Sequence, residues 1–155
     1  MSLVIGHLQL AQRCCGAGKG LEGGGVLQLA GQGITLLSQR GMVLAGLVVL
    51  WAGALGSGVI SNVPLTIAML PIFKGLASQG IPVVPLWWAL ALGVGFGGNL
   101  TPIGAAANVL VTSISDKTGE PVTFRQWLAS GSTVAIATCV LGSLALVLAI
   151  ELGLF

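Results

Sequence analysis

The residues of this chain that could do chemistry are few and uncharged. Ser61 and Asn62 stand together in Val59-Ile60-Ser61-Asn62-Val63-Pro64. Asn99 and Thr101 stand in Gly97-Gly98-Asn99-Leu100-Thr101-Pro102-Ile103-Gly104, with Asn108 a turn or so further on. Both groups interrupt long apolar stretches. Hydroxyls, amides and unwound carbonyls in such breaks can hold a cation such as sodium. The free N–H groups and positive dipole ends of the helices that start after each break can hold an anion. This is the chemistry of binding and passage, not of an enzyme. A plainer reading stays open beside it: the same groups only cap the broken helices, which every broken helix needs. Asn108 either faces the same cavity or bonds a neighbouring helix.

The surroundings decide the class. The chain has 155 residues, 55% of them hydrophobic and 6% charged, with a mean hydropathy of +1.02. An ordinary soluble domain is about a quarter charged. From Gly41 to Ser115 the only ionisable side chain is Lys74, and a membrane span needs about 20 mostly apolar residues. An all-α integral membrane protein follows, with the lipid bilayer as its first partner and a multi-pass place in the cell membrane. A net charge of +2 without clustered Lys and Arg excludes nucleic acid as a partner. Cys14, Cys15 and Cys139 suggest no disulfide framework. Cys14, Cys15 and His7 lack the spaced four-ligand pattern of a zinc site.

Residues 1–40 read as a glycine-rich leader interrupted by Arg13, Lys19, Glu22 and Arg40, and residues 41–155 as part of a transporter domain. Gly41 to Leu55 and Leu65 to Ala77 are apolar limbs around the polar tip at Ser61-Asn62, each short for a full span. A re-entrant hairpin explains them; one crossing kinked at Pro64 is the alternative. Pro85 to Phe96 and Ala105 to Ile114 are the halves of a span broken by glycines, Pro102 and polar side chains. Asp116 to Trp127 is a polar connector with Phe124 and Trp127 at the interface, and Gly131 to Ile150 a final transmembrane helix. Gly93-Val94-Gly95-Phe96-Gly97-Gly98 fits a dinucleotide fingerprint only formally, since no strand precedes it. Gly93 and Gly97 are a helix-packing pair.

Ser61-Asn62-Val63-Pro64 followed by an apolar helix, and Gly97 to Val109 with its Asn99-Leu100-Thr101-Pro102 core, resemble the ion transporter superfamily. That group includes divalent anion/sodium symporters, citrate transporters, arsenite permeases and a class of sodium/proton antiporters. The resemblance covers about Gly41 to Phe155 and matches the family's second inverted repeat. It implies a re-entrant hairpin over 43–77, a broken helix over 85–115, an interfacial helix up to Trp127 and a last span over 131–152. It places Ser61, Asn62, Thr101 and Pro102 against substrate and ion, and it implies that the hairpin enters from the outer face.

The symporters carry threonine where this chain has Val63, which counts against a sodium–dicarboxylate or citrate site. A proton exchanger needs a membrane-embedded acid, and none lies between Gly41 and Ser115. A permease for small anions or oxyanions, of the arsenite type, fits the neutral site better. No cofactor is implied, although sodium or proton coupling stays possible. Members of the group have two repeats and are two to three times longer. This chain is therefore expected to be a partial one that needs a missing first repeat or a second copy of itself; by itself it would be a membrane fragment acting only through helix packing.

Overall fold

The computed structural model describes residues 26–119 and 122–154. The first part of the expected leader, with His7, Cys14 and Cys15, lies outside the described residues. Among those described, the chain is helical throughout: α1 (Val26–Arg40), α2 (Met42–Val59), α3 (Asn62–Ser78), α4 (Val84–Gly97), α5 (Ala106–Thr118) and α6 (Phe124–Glu151), with one 3-10 turn at Gly98–Leu100. The helices α2 and α6 are each long and apolar enough to cross a membrane.

The leader expectation fails in its second half. Ile34 and Leu37 lie one turn apart and both join the core, so the segment coils into α1 and packs against α2 and α3. Glycines 31 and 33 hid that period. Gly31 is also where α1 meets α3, since a Cβ there would touch Ile72 at 3.7 Å.

The direction of each helix follows from its neighbours. A Cβ on Gly93 would lie 2.2 Å from the Leu50 carbonyl oxygen, one on Gly97 2.2 Å from that of Ala54, and one on Gly58 3.1 Å from Leu100. The contacts advance together along α2 and α4, so the two run parallel, and the Gly93–Gly97 pair is the packing device expected of it. Helix α3 runs the other way. Its start, Asn62, lies beside Gly98, and Phe73 meets the Trp87 ring edge-on with centroids 4.6 Å apart. The chain therefore reverses at Ile60 and Ser61, both extended (ψ 130° and 147°). This is a helical hairpin; a single span kinked at Pro64 would have kept one direction. Pro64 sits in the first turn of α3, where its missing N–H has no intrahelical partner to lose.

Helix α6 differs from expectation at its start. Asp116 to Thr118 close α5, while the end of the connector, from Phe124, joins the final span in one 28-residue helix. Its start is set by a reciprocal cap: Gln126 N–H donates to Thr123 Oγ1 at 3.3 Å, and Thr123 N–H to Gln126 Oε1 at 3.0 Å. Ala135, Cys139, Gly142 and Leu146 form its buried stripe. Gly142 abuts Phe96 and Gly46 abuts Leu146, so α6 runs antiparallel to α2 and α4. At 1.5 Å per residue it is ~42 Å long, which exceeds a hydrocarbon core of ~30 Å. Helix α5 stands apart: Asn108 is its one buried residue, while Val109, Leu110, Val111 and Ile114 are exposed.

Candidate functional site

In an α-helix each carbonyl accepts from the N–H four residues on. Each break leaves several carbonyls without that donor, and three of them are served by side chains. Gly58 loses it where the chain turns out at Ile60. Gly98 loses it because the fourth residue on is Pro102, which has no N–H. Asn99 loses it because Thr101 is extended (φ −129°, ψ 154°). An unsatisfied carbonyl at membrane depth costs several kcal/mol. Each is taken instead by a side chain: Thr101 Oγ1 donates to the Gly58 carbonyl at 2.6 Å, Asn108 Nδ2 to that of Gly98 at 2.9 Å and Trp127 Nε1 to that of Asn99 at 3.3 Å. Asn108 Nδ2 also reaches the Thr101 carbonyl at 3.2 Å.

These bonds lock the breaks together. Ser57, wholly buried near the end of α2, contacts Asn62 Oδ1 and the Val94 carbonyl, the latter at 2.9 Å. A hydroxyl has one proton and cannot donate to both. The Val94 carbonyl also accepts from the Gly98 N–H, so with the Ser57 proton on Asn62 Oδ1 no oxygen of the trio lacks a donor. Glycine lets the segments meet: a Cβ on Gly104 would lie 2.5 Å from the Gly98 carbonyl oxygen and 3.0 Å from that of Ser57, and one on Gly98 would lie 3.0 Å from Asn62 Oδ1.

The structure thus brings together Asn62, Thr101 and Asn108, with Pro102 half-buried in the loop between them. Asn108 does something neither reading anticipated, bridging carbonyls of its own break. Ser61 occupies the N-cap position of α3 without a side-chain bond to the helix. Asn99 is apart: this half-buried residue lines a cavity of about 300 Å³ with Trp127, Ser130, Gly131 and Val134 of α6. Trp127 is bonded to the break through its indole N–H. Neither half-helix has a side-chain cap, since Ser61 makes no such bond and Ala105 has no group to make one. The N–H groups of the first two residues of α3 and α5 therefore lack intrahelical acceptors. Sequence reasoning missed Ser57 and Trp127. A hydroxyl between two glycines of an apolar helix, five residues before Asn62, was a usable signal for Ser57; no local pattern marks Trp127.

Comparison with known proteins agrees with this architecture. The citrate transporter family matches residues 8–93, which include the hairpin and end before the second break. The chain is 35% identical over 107 residues to human P protein, covering 67% of this chain and 13% of that protein. It is 35% identical over 123 residues to an uncharacterized transporter of Mycobacterium tuberculosis, covering 77% of this chain and 29% of that one. It is 36% identical over 123 residues to a 46 kDa membrane protein of Mycobacterium leprae, covering 77% and 28%. The chain thus spans less than a third of the length of these relatives. No solved structure matches it. The chain belongs to the citrate transporter family and is a transporter-type membrane protein.

Proposed function

We propose that this member of the citrate transporter family contributes half of a site through which a secondary permease passes small anions or oxyanions. The observation that carries this is the pair of uncapped half-helix starts beside two locked breaks. Thr101, Asn108 and Trp127 have their donors on carbonyls, so they build the walls. The N–H groups at the starts of α3 and α5, with the Ser61 hydroxyl and the Asn62 amide, remain to meet an anion. A neutral site with two positive dipole ends suits a small carboxylate or oxyanion. In this reading the hairpin re-enters from the outer face, and a second repeat or a second copy of the chain supplies the opposite wall, as alternating access requires.

The test is Asn62→Ala in the full-length protein, reconstituted in liposomes and supplied with radiolabelled citrate, arsenite and phosphate in turn. Uptake of at least one by the parent, with apparent affinity falling about 5- to 150-fold in the variant, is expected. That corresponds to the ~1–3 kcal/mol cost of an unpaired buried polar group. Unchanged affinity in a properly inserted variant would remove Asn62 from the site.

A further inference from the structure

The Asn99 carbonyl is the one break carbonyl whose replacement donor comes from a different helix than the two that form the breaks. Trp127 supplies it from the first turn of α6, 28 residues away in sequence. The approach depends on Gly131, one turn later. A Cβ there would lie 2.6 Å from the same Asn99 oxygen and 3.1 Å from the Trp127 indole nitrogen. On the other side of this contact is the cavity lined by Asn99, Trp127, Ser130, Gly131 and Val134, which leaves the unwound segment room to shift if the bond is lost.

From this we infer that Trp127 and Gly131 are positioning residues: α6 holds the unwound segment 98–105 in its shape through one indole N–H, and a glycine makes room for it. The pair acts through the Asn99 carbonyl and touches no substrate. The segment's shape in turn sets where the N-terminus of α5 lies, because Ala105 is the residue before that helix. Donors from α2, α3 and α5 cannot do this work. Thr101 and Asn108 are committed to the Gly58, Gly98 and Thr101 carbonyls, and Ser57 to Asn62 Oδ1 and the Val94 carbonyl. Helix α6 and the broken loop therefore behave as one body, so a displacement of α6 reaches the loop directly. The functional meaning rests on the reading of the loop as a substrate wall, but the positioning itself is measured without substrate.

The experiment uses the full-length protein in lipid nanodiscs with its native cysteines replaced. A single reporter is introduced as Ile103→Cys, in the unwound segment where Ile103 is exposed, and a control as Lys74→Cys in α3. Trp127→Phe removes the N–H and keeps an aromatic ring; Gly131→Ala keeps the N–H and pushes α6 off the carbonyl. Either change should raise the maleimide reaction rate at position 103 about 5-fold or more while the rate at 74 stays within 2-fold. The double variant should react no faster than the quicker single one, because both release the same carbonyl. Rates at 103 within 2-fold of the parent in both single variants would overturn the inference. So would parallel rises at 103 and 74, which would mean that the helix merely stabilises the whole bundle. If one variant does not fold, the other decides.

Discussion

Asn108 Nδ2 lies 2.9 Å from the Gly98 carbonyl, the carbonyl whose helical donor Pro102 cannot supply. The proline opens the helix and the asparagine, six residues later and on the next helix, closes the polar gap. Asn108→Ala should therefore leave the Gly98 carbonyl short of a donor, at a cost of ~1–3 kcal/mol when buried, while the Thr101 carbonyl keeps the Gly104 N–H at 3.2 Å. Its thermal midpoint in detergent should fall clearly below the parent's. Asn108→Asp is the sharper control, since an ionised carboxylate is acceptor-only and should be no better than alanine. A midpoint unchanged in both would mean that the bond does not hold the break.

Pro102→Ala should act in the opposite sense. It returns an N–H four residues beyond Gly98, which lets the helix close toward its regular ladder and frees Asn108. Pro102 lies in the unwound segment and not in a helix interior, so the change relieves no helical strain, and uptake should be lost as the segment changes shape. A variant that transports normally would show that the unwound shape is not what the site needs.

The glycines of α4 divide cleanly. Gly93→Ala and Gly97→Ala place a methyl 2.2 Å from the carbonyl oxygens of Leu50 and Ala54, backbone atoms that cannot swing away. Overpacking of this kind costs typically ~1–3 kcal/mol and sometimes more. Gly95, between them, meets nothing within 4 Å, and Gly95→Ala should be neutral or stabilising by up to ~1 kcal/mol through helix propensity. Thermal unfolding of the three variants side by side checks this, and equal loss at 95 and 97 would contradict the parallel packing of α2 on α4.

The contrast between those residues also explains what the sequence made legible. Pro64, Pro102 and the glycines around them act on their own backbone, so both breaks were readable from the chain alone. The same holds for the alternation of apolar runs and polar tips that implied a hairpin. Partnerships across the fold were not readable: Trp127 looks like any aromatic residue near a helix start, and Ser57 like a small residue at a helix end. Their roles depend on which carbonyls the breaks orphan and which helix passes beside them. Helix α1 was missed for a local reason, because glycines dilute the period that Ile34 and Leu37 carry. Asn99 was read as a companion of Asn62, yet its carbonyl bonds Trp127 of α6; residues 37 apart share a face only if both helices present it, and periodicity does not say so.

Orientation is the remaining prediction, and here two arguments disagree. Because α2 and α3 form a hairpin, Arg40 and Lys74 lie at one end of the bundle. Because α6 runs antiparallel to α4, Arg125 lies at the other, and Lys117 shares the α5–α6 connection with it. The bias of Lys and Arg that keeps positive loops in the cytoplasm then ties at two each. Arg13 and Lys19 would tip it toward the hairpin base, but they lie outside the described residues. The superfamily resemblance breaks the tie the other way: a hairpin entering from the outer face puts Arg40 and Lys74 outside and Lys117 and Arg125 in the cytoplasm. A Lys117→Cys variant, with Cys14, Cys15 and Cys139 replaced, should resist an impermeant maleimide in intact cells and react once the cells are permeabilised. Lys74→Cys should do the reverse, reacting in intact cells. Labelling at 117 but not at 74 before permeabilisation would invert the topology, and would give the leader's charges the deciding weight.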